Sequence, residues 1–294
     1  MNSVRRLGLG TVQFGLPYGV SNRAGRTPPR EVKHILDFAD AHGVQLLDTA
    51  PAYGSAEAVL GKLLPERHSF RIVTKVLLRP ENNLETVSVE GVVRSSLKAM
   101  KAKSVYGVLL HDGSILAGPA GDECWESLLR LKDMGLTEKV GASVYSPEEA
   151  EFIIERYSVD IMQIPVNVLD QRFIKQGCVL KMNKKGIEIH ARSCFLQGLM
   201  LMEPDDLPPF FEPVRGLLRK FKQSCIELGL SRIGALLDFV LSVQELRSII
   251  VGVNSLPHLK EIVEAVKKSS LRETMDFKDF SVDNPEMVEP RFWP

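Results

Sequence analysis

Four polar residues stand where short apolar runs end. Asp48 closes the run 44–48, Lys75 closes 71–75 and His111 closes 105–111, while Tyr53 follows five positions after Asp48. Together they suit the reduction of a carbonyl, which needs a hydride at carbon and a proton at oxygen. A tyrosine hydroxyl delivers a proton, but its free pKa is about 10. A neighbouring ammonium stabilises the phenolate and lowers that value, and Lys75 is placed to supply it. Asp48 would pair with Lys75 and hold it, and His111 would hydrogen-bond the substrate oxygen. A positioned proton donor contributes ~10²–10⁴ in rate, and fixed donors stabilise the developing alkoxide. No side chain supplies a hydride, so a cofactor must. Each residue also has a plainer reading: helix cap, solvated lysine, core histidine, loop packing. The conjunction of all four at one end of adjacent strands favours chemistry.

The elements that must position them are legible in the pattern. Eight apolar runs, 6–10, 44–48, 71–75, 105–111, 139–143, 160–164, 187–191 and 248–252, read as strands buried on both faces. Amphipathic helices lie between them. One follows Thr27-Pro28-Pro29 with Val32, Ile35, Leu36 and Ala39 on one face; Thr27 is its expected cap and Gly43 follows its end. Ser146-Pro147-Glu148-Glu149 forms a capping box. Helical patterns also cover 214–228, 232–243 and 256–267, the first preceded by an insertion at 204–213. Strands alternating with helices predict one α/β domain over 1–294, a (β/α)8 TIM barrel with 276–294 as a C-terminal tail. An open doubly wound sheet is disfavoured, because the turn Gly8-Leu9-Gly10-Thr11-Val12-Gln13 lacks the third glycine of a dinucleotide fingerprint. In a barrel, functional groups gather at the C-terminal strand ends, where these four stand.

Composition narrows the class. Of 294 residues 44% are hydrophobic and 25% charged, and Lys+Arg balance Asp+Glu at 37 each. A chain with no net charge has no global field to attract nucleic acid or an anionic membrane. No apolar stretch suits a signal peptide or a membrane span. The four cysteines, Cys124, Cys178, Cys194 and Cys225, form no metal-binding spacing and read as reduced thiols of a cytoplasmic protein. No metal site is expected.

With these residues in view, the chain resembles the aldo/keto reductase superfamily over nearly its whole length. The resemblance is carried by Leu9-Gly10-Thr11, Leu47-Asp48-Thr49-Ala50-Pro51-Ala52-Tyr53-Gly54, Val73-Thr74-Lys75, Leu109-Leu110-His111, Val140-Gly141-Ala142-Ser143, Met162-Gln163 with Asn167, and Gly198-Leu199. It implies the four roles above and an NADPH cofactor, with NADH the other candidate, extended across the barrel mouth. It also implies a small-molecule carbonyl substrate. Ser143 and Gln163 match positions that hold the nicotinamide carboxamide. Thr11, Ser193, Leu196 and Gly198 match segments along the cofactor. Gly252, Val253, Asn254 and Ser255 precede a helix and match the segment that receives the adenosine phosphate, where free amides favour an anion; the plainer reading of Ser255 is an ordinary N-cap, the less favoured of the two.

Three departures from the family pattern bear on the cofactor and the fold. Arg192 stands where many relatives carry an aromatic residue that stacks on the nicotinamide; it would stack or bind a substrate anion. Val253-Asn254-Ser255 lacks the cation that often grips a 2′-phosphate, and nearby His258 carries a pH-dependent charge. The N-terminal hairpin that plugs the barrel floor is short or missing. Phe14, Tyr18, Trp125, Phe292 and Trp293 are candidate pocket walls, with the tail folding near the mouth or against an outer helix. A sugar or keto-sugar is the candidate substrate. Two rival readings remain: a non-catalytic sensor of nicotinamide redox state, and an aldolase-type barrel using Lys75 as a Schiff base.

Overall fold

Every apolar run becomes a strand. The structure, a computed structural model, describes residues 3–65, 67–78, 88–269 and 275–294. The strands are β1 Leu7–Gly10, β2 Leu46–Asp48, β3 Arg71–Val76, β4 Val105–Leu110, β5 Thr137–Ser143, β6 Ile161–Pro165, β7 Glu188–Arg192 and β8 Leu246–Gly252. They are parallel, lie in chain order and close on themselves through β1 and β8, a (β/α)8 TIM barrel. Around and between them run α1 Val12–Gly15, α2 Pro29–Ala41, α3 Ala56–Leu63, α4 Val89–Met100, α5 Gly121–Asp133 and α6 Pro147–Arg156. The second half adds α7 Arg172–Lys175, α8 Cys178–Lys184, α9 Glu212–Glu227, α10 Arg232–Ser242, α11 Leu256–Lys268 and α12 Pro285–Val288.

The helices form where their patterns said. Helix α2 buries Val32, Ile35, Leu36 and Ala39. Helix α6 opens on the capping box, with Ser146 and Glu149 satisfying each other's backbone amides. One cap differs. Pro28 is the N-cap of α2, which leaves the Thr27 side chain one residue too early to reach the first amides. The buried Thr27 hydroxyl instead donates to the Asn254 carbonyl at 3.3 Å, tying the β1–α2 connection to the segment after β8.

The barrel interior is layered. Leu46, Val73, Leu109, Ile161 and Ile250 form a separate apolar plug. Toward the floor lies a charged cluster of Tyr106, Lys139, Glu188 and His190. No β-hairpin precedes β1 among the described residues. A short 3-10 turn, Ser3–Arg6, is there, and Arg6 donates to the carbonyls of Leu241, Val243 and Leu246.

The tail is anchored. Phe280, Met287, Val288 and Glu289 are buried, and Trp293 packs edge-on against Phe211 at 4.8 Å. Buried Arg172 donates to both Asp170 oxygens at 2.8 Å and to Glu289 at 2.7 Å, which pins the tail to the loop after β6. No helix among the described residues is long and apolar enough to cross a membrane. All four cysteines are free and buried.

Candidate active site

Strand register gathers the site. Gly10 pairs with Asp48, Asp48 with Val73 and Lys75 with Leu109, so Lys75 sits two residues beyond the partner of Asp48, and His111 two residues beyond the partner of Lys75. That stagger is the shear of a closed barrel, and it lifts inward-facing side chains of successive strands to one level at the mouth. Ser143 pairs with Gln163 across β5 and β6, and Pro165 pairs with Arg192 across β6 and β7. The loop after β2 brings Tyr53 back over this layer.

Lys75 is the hub and is 1% exposed. Its Nζ donates to both Asp48 oxygens at 2.7 Å, to the Thr49 carbonyl at 3.2 Å and to the Tyr53 hydroxyl at 3.3 Å. Asp48 Oδ1 also accepts from Gln163 Nε2 at 2.8 Å. The Thr11 amide and hydroxyl both donate to the Asp48 carbonyl at 3.0 Å. A lone buried charge would carry a large desolvation cost, and the two-oxygen pairing together with these hydrogen bonds offsets it. The His111 ring stands edge-on to Tyr53 at 5.6 Å, with Nδ1 buried and unpartnered.

The ionisation pattern departs from the sequence expectation at Tyr53. Burial, and then the Asp48 carboxylate, push its pKa well above 10. The Lys75 charge was expected to lower it, but Asp48 already balances that ammonium. Burial also lowers Lys75, against the opposing pull of Asp48. Burial, reinforced by Lys75, drops His111 to about 4. At neutral pH the mouth therefore holds a neutral phenol and a neutral imidazole beside the Lys75–Asp48 pair.

One cavity of about 560 Å³ opens over this layer, lined by Asp48, Tyr53 and His111. It runs past Ser143, Gln163, Arg192, Ser193 and Gly198 to Gly252, Val253, Asn254 and His258. Three residues matched to the cofactor do not line it. Thr11 is fully buried with its hydroxyl on the Asp48 carbonyl, Leu196 is core, and Ser255, the N-cap residue of α11, makes no side-chain cap bond. Asn167 is a loop cap, its Oδ1 accepting from the amides of Leu169 and Asp170. The first amide of α11 is not free either, because Leu256 N donates to Glu31 Oε1 at 2.6 Å.

The wall differs from the aromatic list. Tyr18 lines the cavity, but Phe14 is fully buried core and Trp125 stacks near Tyr157 on the outer shell. From the tail, Pro290 and Arg291 reach the cavity, whereas Phe292 and Trp293 do not. Sequence reading missed Gln13, Tyr145 and Arg291. Two guanidiniums lie over the Tyr145 ring, Arg192 at 4.2 Å from its centre and Arg291 at 4.5 Å. Tyr145 follows β5 by two residues, so the strand-end rule was the signal available for it. For Arg291 no local signal existed. The residues present suit a polar ligand: Gln13 Oε1 and Asn254 Oδ1 are buried without partners, and both residues line the cavity.

Residues 6–278 match the model of the aldo/keto reductase family. The uncharacterized oxidoreductase YqkF of Bacillus subtilis is 22% identical over 92% of this chain and 90% of its own. The D-arabinose 1-dehydrogenase of Saccharomyces cerevisiae is 27% identical over 44% of this chain and 41% of its own. Among solved structures, an aldo-keto reductase from Bacillus halodurans in its holo form superposes with a TM-score of 0.73 at 20% identity, covering 94% of each chain. That likeness speaks for the fold.

Proposed function

The chain belongs to the aldo/keto reductase family, and we propose that it reduces an aldehyde or ketone to the alcohol with a nicotinamide cofactor, Tyr53 giving the proton. The observation that carries this reading is Lys75, whose buried ammonium touches both Asp48 and the Tyr53 hydroxyl beside His111. The reduced nicotinamide, when bound, supplies the hydride.

The protein's part is orientation and proton transfer. Ser143 Oγ and Gln163 Oε1 would hold the carboxamide, since Gln163 spends its Nε2 on Asp48. Arg192, Ser193, Gly198, Gly252, Val253, Asn254 and His258 would line the rest of the cofactor path. The substrate oxygen would accept hydrogen bonds from neutral His111 and from Tyr53. As the oxygen gains charge it takes the phenolic proton, and the phenolate is met by the Lys75 ammonium 3.3 Å away. Water returns the proton to Tyr53. The polar wall of Gln13, Tyr18, Asn22 and Tyr145 favours a hydroxylated substrate, a sugar or keto-sugar. A Schiff base at Lys75 fits poorly, because the amine is engaged by both Asp48 oxygens and does not line the cavity.

The test is to mix the protein with NADH or NADPH and a panel of aldoses, keto-sugars and apolar aldehydes, following nicotinamide absorbance. Turnover that collapses in Tyr53→Phe is expected. Failure of both cofactors to bind at millimolar concentration would sink the reading. Binding without turnover, indifferent to Tyr53→Phe, would turn it into a sensor.

A further inference from the structure

We propose that Glu31 makes the far end of the cleft select a dinucleotide without a 2′-phosphate, so that NADH binds in preference to NADPH. The inference rests on the cofactor reading above. A dinucleotide whose nicotinamide reaches Tyr53 and His111 must run along the remaining cavity, past Gly198 and Gly252, and end at the first turns of α11. Charges along that path are distributed unevenly. The lining arginines, Arg192 and Arg291, both stack on Tyr145 beside the reacting end, and no lysine lines the cavity among the described residues. The far end is lined by Asn254, His258, Glu261 and Ile262.

Glu31 stands just outside the lining of this end and reaches the first residue of α11. It projects from α2, and its Oε1 accepts the Leu256 amide at 2.6 Å, two residues past the cavity-lining Asn254. The anion-binding position at the start of α11 is therefore taken by the protein's own carboxylate. Its Oε2 lies 3.7 Å from His34 on its own helix. A phosphomonoester brings about −1.5 to −2 charge. Placed here it would meet the lining Glu261, and it could take the Leu256 amide only by displacing Glu31 from it. A ribose 2′-hydroxyl meets the opposite situation: carboxylate oxygens and the unpartnered Asn254 Oδ1 are acceptors for its proton, the logic by which acidic residues select NAD in other dinucleotide folds.

The experiment is a fluorescence or calorimetric titration of the full-length protein with NADH and NADPH at one ionic strength. Competition by 5′-AMP and 2′,5′-ADP isolates the adenosine end. Wild type should bind NADH at least tenfold more tightly than NADPH, and 5′-AMP should compete better than 2′,5′-ADP. Glu31→Gln should narrow the ratio, and Glu31→Lys should close or reverse it, with circular dichroism melts confirming that both variants fold. NADPH binding as tightly as NADH in wild type overturns the proposal and leaves the reductase reading intact. A wild-type preference unchanged in both variants overturns the role of Glu31. If neither dinucleotide binds, the reductase reading fails first and this proposal with it.

Discussion

Lys75 reaches Tyr53 with an ammonium that already faces Asp48, so burial, and after it the Asp48 carboxylate, decides how the phenol behaves. Burial keeps Tyr53 protonated well past pH 10, and His111 stays neutral down to about pH 4. Neither group changes state across the ordinary range, so kcat/KM for the proposed reduction should be flat from about pH 5 to 9. A bell with a midpoint near neutrality would contradict it. Tyr53→Phe should lower kcat by ~10²–10⁴ while leaving cofactor affinity unchanged, read by steady-state rates beside a binding titration. Asp48→Asn leaves Lys75 buried without its counter-charge. Urea unfolding should show a loss of ~3–5 kcal/mol, the usual cost of removing one partner from a buried pair. At this scale the sequence was most informative. The strand-end rule located Asp48, Lys75 and His111, because strand periodicity and inward direction are local properties. The direction of the Tyr53 shift was not legible, since it depends on how deeply folding buries the phenol and on how close it brings the Asp48 carboxylate.

Elements position these residues through contacts that sequence spacing does not reveal. Short helix α1 lies against the loop that carries Tyr53. A Cβ added at Gly15 would fall 1.8 Å from the Tyr53 carbonyl oxygen and 2.6 Å from the Ala56 amide. Both neighbours are backbone, so the loop must move. Gly15→Ala should therefore lower kcat and the melting temperature together, with overpacking costing ~1–3 kcal/mol. Gly91→Ala in α4 is the matched control, because its nearest new neighbour is a side-chain atom of Ser88 at 3.6 Å. Equal behaviour of the two variants would remove Gly15 from the account. The eight strands and the α6 capping box were legible because apolar runs and caps are written in adjacent residues. Gly15, Arg291 and the Arg172 anchor of the tail were not, because each acts on a partner far away in sequence. The same limit applied to Thr27, whose hydroxyl serves the segment after β8 instead of its own helix.

At the scale of the whole barrel, the floor cluster links stability to acid. Glu188 accepts from Tyr106 at 2.6 Å and from Lys139 at 2.5 Å, and its other oxygen lies 2.9 Å from His190 Nε2. These partners outweigh the burial that opposes ionisation and hold its carboxyl far below the usual range. A carboxylate with a depressed folded pKa binds its proton less readily than the same group in the unfolded chain. Its contribution is therefore complete above the unfolded value of about 4.3 and is lost as pH falls below it. His111 adds a loss with the same sign, between its unfolded value near ~6.5 and about 4, because it must be protonated against burial. Glu57 and Asp170, raised by burial, oppose the trend. Glu188→Gln separates the floor from the mouth. It should be less stable than wild type at pH 7, where Lys139 has lost its counter-charge, and the gap should shrink toward pH 3, where wild-type Glu188 begins to lose its advantage. Urea midpoints at the two pH values measure the gap. A difference that stays constant with pH would mean that the Glu188 cluster fills space without storing charge-dependent stability, and the acid sensitivity of the barrel would then belong to the mouth alone.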